Sequence, residues 1–412
     1  MRQFSKWALR IITVLVVIGA GLAAYNWERL VRLYNINNLF AEANIVQNFS
    51  HMKDIFFWAP IPENGTKPAG SDWPETLSAM PETYVFDGKK GNINQRLEQF
   101  STTSLLVLHK GEIVHEEYFH GTKKEDRRVS WSMAKSVLSA MFGIAISEGK
   151  IANIEDPVTK YVEVLKGTAY AGISIQDVLH MASGVKFNED YLDFNSDIKR
   201  MGRVLALGGS MDEFAASIKE RERESGLKRQ YTSIDTHVLG MVLRAATGKS
   251  LMEYLAEKIW SKMSSGESSY YLTDGYGVAF ALGGLNMRTR DYARFGQLFL
   301  NKGKWEGQQI VPELWVEQST TVSAPRSSID EDELQYGFQW WMPPATDDEY
   351  FAVGIYGQYI YINPKAEIVV VKTAANRDFR ADGQNGRTIK VENIAIFRAI
   401  AEHYSDWRYP KN

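Results

Sequence analysis

The sequence predicts an α+β fold: an antiparallel sheet flanked by helices, interrupted by an all-helical insertion and preceded by an N-terminal membrane helix. Three observations carry this expectation. Strand hairpins stand near both ends of the main body, helical periodicity fills the chain between them, and an uncharged apolar run lies close to the start.

Taken in order, Arg2, Lys6 and Arg10 precede an uncharged run from Ile11 to Trp27, and Glu28 is the first charge after it. Basic residues ahead of an apolar stretch direct a chain to or through a membrane. The run is at the short end of what spans a bilayer, about 17–25 residues. Gly19, Gly21 and Ala23 have the spacing of a cleavage site. Residues 1–34 therefore read as a signal anchor, with a cleaved signal peptide as the alternative, and either places the main body outside the cytoplasm, periplasmic in a Gram-negative cell.

Residues 35–100 carry turn signals (Pro60, Pro62, Gly65, Pro68, Gly70, Pro74, Pro81) interleaved with aromatics, which predicts an ordered wrap rather than a loose linker. The body, 101–412, then divides into an α/β part (101–150 and about 285–412) and a helical part (about 151–284). Leu105, Leu106, Val107 and Leu108 meet Ile113, Val114 and Tyr118 across Lys110-Gly111. A second hairpin joins Tyr359, Ile360, Tyr361 and Ile362 to Ile368, Val369, Val370 and Val371 across Asn363-Pro364-Lys365, and the two hairpins can pair in one sheet. Helical patterns run over 174–181, 233–247, 251–262 and 290–300, and a closing helix over 390–403.

Composition removes several chemistries. Lys+Arg of 47 against Asp+Glu of 50 leaves a net charge of −3, which gives no electrostatic reason to expect nucleic acid as a partner or strong attraction to anionic lipid. With no cysteine there is no disulfide framework, thiolate site or cysteine nucleophile. The seven histidines show no zinc-binding spacing and no Gly-x-Ser-x-Gly elbow occurs, so neither a metal nor a cofactor is expected. His109, His115 and His120 read as strand-surface residues.

Ser-x-x-Lys occurs six times, from Ser50, Ser132, Ser147, Ser183, Ser196 and Ser225, so the string alone decides nothing. Only Ser132 opens a helix that is apolar on nearly every face (Val137 to Ile146) and carries its lysine, Lys135, into that surrounding. Unpaired N–H groups at a helix start favour developing negative charge, and desolvation lowers a lysine toward the range of a useful base. A serine cap with a snorkelling lysine remains the structural alternative at this point.

Ser132-Met133-Ala134-Lys135-Ser136, followed by Asp156-Pro157-Val158-Thr159-Lys160-Tyr161-Val162, resembles the β-lactamase-related serine hydrolases, which include class C β-lactamases, D-alanyl-D-alanine peptidases and esterases. Further blocks in the same order are similar to the 6-aminohexanoate-dimer hydrolase group within that family. They are Phe187-Asn188-Glu189-Asp190-Tyr191, Tyr231-Thr232-Ser233, Gly283-Gly284, Arg290-Asp291-Tyr292-Ala293-Arg294, Gln339-Trp340-Trp341 and Gly354-Ile355-Tyr356-Gly357-Gln358. The resemblance implies a β-lactamase/transpeptidase-like fold and hydrolysis of a small ester, amide or peptide-like substrate. It makes Ser132 the nucleophile, Lys135 its base, Tyr231 the proton relay, and the N–H groups of Ser132 and Ile355 the oxyanion donors. Tyr191, Tyr356 and Ser233 become candidate substrate contacts. Three departures matter: Ser233 replaces the asparagine of Tyr-x-Asn, Ala352-Val353-Gly354 replaces the block whose cation helps β-lactamases bind a substrate carboxylate, and Tyr356 stands where the similar group has a histidine, adding bulk beside the site. A β-lactamase or D-alanyl-D-alanine carboxypeptidase, and a non-catalytic envelope binding protein of the same fold, stay open as alternatives.

Overall fold

The computed structural model describes residues 2–62, 73–263, 269–327, 334–344, 349–381 and 387–410; Gly65, Pro68 and Gly70 fall outside them. Its centre is a seven-stranded antiparallel sheet in the order Gln335–Tyr336, Trp341–Met342, Tyr350–Gly354, Gln358–Asn363, Ile368–Ala374, Thr102–His109, Glu112–Tyr118. Both hairpins expected from the sequence form, and they join through Ile368–Ala374 against Thr102–His109, with Val370 opposite Val107. The unbroken apolar runs follow from burial on both faces. Leu106, Leu108, Ile360 and Val369 face one core with helix Thr289–Leu300, while Leu105, Val107, Tyr361 and Val370 face a second core with the closing helix Arg387–Tyr404.

The helical part differs from expectation in one respect. Strand Tyr270–Thr273 lies inside 151–284 and pairs with Phe57–Pro60 of the wrap and with Leu285–Met287, which in turn pairs with Arg128–Val129. This second, four-stranded sheet is therefore built from distant segments, and the insertion is not all-helical. The segment read as a helix over 251–262 is one, loosened by a π-turn at Ala256–Trp260. In its described residues the wrap is built of regular elements: besides its strand it supplies hairpin Thr83–Phe86/Lys89–Asn92 and helix Ile93–Gln99, with Arg96 and Tyr84 both bonded to Glu392 of the closing helix.

Helix Arg2–Tyr25 leads into helix Trp27–Asn37. Among the described residues no single helix is long and apolar enough to cross a membrane; Arg10–Tyr25 and Trp27–Asn37 reach that length together but are bent by 70°.

Gly296 lets helix Thr289–Leu300 sit on the sheet: a Cβ there would meet Val369 Cγ1 at 2.5 Å and Ile360 Cγ2 at 3.0 Å. Gly296→Ala gains about 1 kcal/mol of helix propensity but incurs overpacking of roughly 1–3 kcal/mol. The variant is expected to unfold at a lower temperature than the parent by circular dichroism; an equal or higher midpoint would show that the sheet yields freely at this contact.

Candidate active site

The short strand Arg128–Val129 ends at Ser130, whose N–H donates to Leu285 O at 2.8 Å. The chain then turns through Trp131, a non-glycine residue at φ +44°, into a 3₁₀ turn Trp131–Met133 and the helix Ala134–Ser147. Positive φ in a bulky residue is strained, and such strain persists where surrounding structure imposes it. The consequence is that Ser132 stays half exposed at the start of a helix that is otherwise almost wholly buried.

Lys135 lies one turn on and is only 2% exposed. Burial lowers its pKa from 10.5 to about 7, opposed by the negative charges of Glu189 and Asp235. Its Nζ donates to Thr236 Oγ1 at 3.3 Å, Thr236 donates to Gln339 Oε1 at 2.8 Å, and Gln339 Nε2 donates to the Leu179 carbonyl at 2.8 Å. This chain orients the amine, because each hydroxyl or amide proton has one assigned acceptor. Ser136 closes it from the other side by donating to the Gln339 carbonyl at 2.7 Å.

Tyr231 enters from the loop before helix Ser233–Thr247, held by Gln230 N–H on the Met181 carbonyl at 2.8 Å. Its ring stacks on Trp341 at 5.8 Å and lies 5.3 Å from Lys135 Nζ. Burial pushes its phenol well above the usual value; the neighbouring Ser132 and Ser233 side chains work the other way. Ser132, Lys135 and Tyr231, 99 residues apart along the chain at the extremes, are thus brought together. Asp235, one turn into the same helix, accepts from Tyr170 Oη at 2.7 Å and is raised by burial to about 7.

Ile355 is not on a strand. It is the first residue beyond Tyr350–Gly354, at the turn. Gly354 makes that placement possible, since a Cβ on it would meet Ser130 O at 2.4 Å and Ser132 N at 3.1 Å. Only glycine permits the strand end to abut the nucleophile turn, which sets the Ile355 peptide beside that of Ser132.

The candidate substrate contacts fall in two groups. Tyr191 Oη donates to Glu189 Oε1 at 2.7 Å, and Ser233 gives Glu189 both its N–H (2.9 Å) and its hydroxyl (2.5 Å). Both polar groups are therefore engaged with one carboxylate. Tyr356, at φ +62°, stands in an aromatic wall with Phe379 (4.6 Å), Phe40 (5.1 Å), Phe49 (5.3 Å) and Trp131 (6.0 Å). Where β-lactamases carry a cation, Ala352 and Val353 are buried and apolar.

Sequence reasoning did not single out Glu189, Thr236, Gln339 or Phe40 as site residues. Glu189 and Gln339 lie in the quoted blocks, but nothing in those blocks tells a polar residue that touches Lys135 or Ser233 from one that faces solvent. Among the described residues no group of His, Asp or Glu is arranged to hold a metal ion.

Comparison with known proteins places the chain in a family and a fold. The family model described as Beta-lactamase matches residues 90–392. A 6-aminohexanoate-dimer hydrolase of Paenarthrobacter ureafaciens is 30% identical over 295 residues, 69% of this chain and 75% of that protein. A solved Bacillus anthracis protein assigned as a 6-aminohexanoate-dimer hydrolase superposes with a TM-score of 0.77 at 26% identity, covering 89% of this chain and 96% of that one. A D-stereospecific amidohydrolase from Streptomyces shares the fold alone, at a TM-score of 0.53 and 16% identity over 71% of this chain and 93% of its own. With that family model matched over most of its length and the Ser132 turn, buried lysine and strand-end glycine set into the shared fold, the chain belongs to the beta-lactamase family of serine hydrolases.

Proposed function

We propose that the protein cleaves small esters or amides through an acyl-enzyme on Ser132, with Lys135 and Tyr231 moving the protons, and that it works outside the cytoplasm at a membrane. One observation carries the reading: a lysine buried to a pKa of about 7 lies beside the half-buried serine, with a phenol packed against both. Neutral Lys135 accepts the Ser132 proton as Oγ attacks the carbonyl. The tetrahedral oxyanion is stabilised by the N–H groups of Ser132 and Ile355, donors that need no particular side chain. Tyr231 passes a proton to the departing alcohol or amine, and water then reverses the sequence to release the acid. The apolar Ala352-Val353 strand and the aromatic wall at Tyr356 favour an uncharged acyl group over a β-lactam carboxylate.

A panel of p-nitrophenyl esters, aminohexanoate amides, a chromogenic cephalosporin and D-Ala-D-Ala peptides tests this. Ester or amide turnover is expected, abolished in Ser132→Ala, with a fluorophosphonate probe labelling the parent only. Steady cephalosporin hydrolysis in preference to esters would move the assignment to a β-lactamase. Absence of labelling in folded protein would favour a binding protein.

Because the base form of Lys135 is the neutral amine, kcat/KM is expected to rise with pH through about 7, well below the 10.5 at which an ordinary lysine would act. A profile that climbs only near pH 10 contradicts Lys135 as base.

Thr236 serves as a positioning residue. Thr236→Val removes the acceptor for Nζ, so kcat falls on the order of tenfold with little change in KM. Losing an acceptor disfavours the ammonium form, so the pH midpoint moves down, and Thr236→Ser restores both. A profile superimposable on the parent would reduce Thr236 to packing.

A further inference from the structure

Helix Trp27–Asn37 is amphipathic in the wrong sense for a helix that simply packs on its own protein. Its large outward side chains are Trp27 (64% exposed), Leu30 (46%), Val31 (37%), Leu33 (39%) and Tyr34 (69%), with Glu28, Arg29 and Asn37 exposed beside them, while Arg32, Asn35 and Ile36 turn inward. Arg32 lies over the Phe57 ring at 3.7 Å, and Asn35 Nδ2 donates to the Asp54 carbonyl at 3.5 Å. An apolar face directed away from the body marks a surface completed by an apolar partner. The preceding helix identifies that partner. From Ile11 to Ile18 its large apolar side chains are all more than half exposed, and it meets Trp27–Asn37 at a 70° bend. A helix apolar all round and uncovered by protein belongs in lipid, and one bent sharply away from it, with aromatic ends, has the character of an interfacial helix.

Charge and position agree. Arg29 is exposed on this helix, which packs on helix Asp197–Leu207, where burial and then the nearby charge of Arg203 lower the pKa of Lys199, against the opposing charge of Asp190. Basic residues beside an apolar helical face fit the headgroups of anionic lipid. Three residues beyond the helix, Phe40 stacks on Tyr356 at 5.1 Å, Tyr356 on Phe379 at 4.6 Å, and Phe379 meets Tyr191 at 6.4 Å. The loop that follows Tyr191 exposes Leu192 (85%) and Phe194 (71%). The apolar helix is thereby joined ring by ring to the rim of the Ser132 site.

We propose that helix Trp27–Asn37 lies in the headgroup layer of an anionic bilayer and holds the mouth of the Ser132 site at the membrane surface, so that the substrates are esters or amides of amphiphiles dissolved in that bilayer. The substrate half rests on the serine-hydrolase reading above; the docking half does not.

The cysteine-free chain makes a direct test clean. Full-length protein carrying a spin label at Leu30→Cys, Leu33→Cys or, as a control, the exposed Val85→Cys is placed in vesicles of phosphatidylethanolamine with phosphatidylglycerol. Labels at 30 and 33 are expected to be relaxed by bilayer-dissolved oxygen more than by an aqueous nickel chelate, with the reverse at 85. Preference for the nickel chelate at 30 and 33, or shielding from both reagents as in a contact with a second copy, would overturn docking. Equal depth in pure phosphatidylcholine would overturn the anionic specification. In the kinetic arm, Leu30→Glu with Leu33→Glu is expected to lower turnover of a long-chain p-nitrophenyl ester dissolved in the vesicles by at least about tenfold, since burial of even part of two leucine side chains is worth that much. Turnover of soluble p-nitrophenyl acetate stays unchanged. Equal rates of variant and parent on the vesicle ester would overturn the substrate class while leaving the label result standing, and loss of labelling by fluorophosphonate would point instead to failure of the hydrolase reading.

Discussion

A primary amine taken out of water is the constraint around which the site is arranged. Moving Lys135 from its ordinary pKa to about 7 corresponds to roughly 5 kcal/mol against the ammonium form. An unsatisfied amine there would be costlier still, so the surroundings supply Thr236 as acceptor and place Glu189 and Asp235 near enough to favour some charge. Each partner has its own anchor. Gln339 orients Thr236, Leu179 orients Gln339, and Tyr170 holds Asp235. The sign for stability follows from linkage: between about 7 and 10.5 the unfolded chain holds a proton on this lysine that the folded chain lacks, so the folded state gains as pH rises through that window.

A depressed lysine is not by itself a catalytic one. Lys372 is also fully buried and lowered to about 7, chiefly by desolvation, yet its Nζ donates to Asn393 at 2.9 Å and lies over the rings of Phe100 and Tyr359. No half-exposed nucleophile is among those partners. What separates the two lysines is geometry: Lys135 stands at a helix start beside Ser132 and Tyr231, while Lys372 is enclosed between the sheet and the closing helix.

The same distinction explains what could be read in the sequence. The hairpins, the closing helix and the burial of the helix after Ser132 are local patterns of apolar spacing, and they form where spacing places them. Strand Tyr270–Thr273 escaped that reading because all four of its residues are buried and its partners, Phe57–Pro60 and Leu285–Met287, lie to either side at long range. Thr236 and Gln339 escaped it because their meaning comes from contacts more than a hundred residues away in the chain. The positive φ of Trp131, Gln339 and Tyr356 is likewise invisible, since none is a glycine and tertiary contacts impose the conformation. The family blocks pointed to Ser132, Lys135 and Tyr231 by position, and the structure brings the three together, but their supports could be seen only in three dimensions.

The wrap carries a consequence for specificity. Phe40 and Phe49 come from the segment before the hydrolase body, and with Trp131, Tyr356 and Phe379 they enclose one side of the site in rings. Without a cation at Ala352, discrimination among acyl groups rests on apolar contact, where a single methylene is worth only about 1–3 kcal/mol. A hydrogen-bonding subsite would reject a wrong group far more sharply, because its own polar atoms would be left unpaired. Here the nearest polar groups on the Tyr191 and Ser233 side are already satisfied by Glu189. On the proposed reading such a wall accepts many apolar acyl chains with similar affinity, and selectivity comes instead from which of them the membrane surface delivers to Ser132.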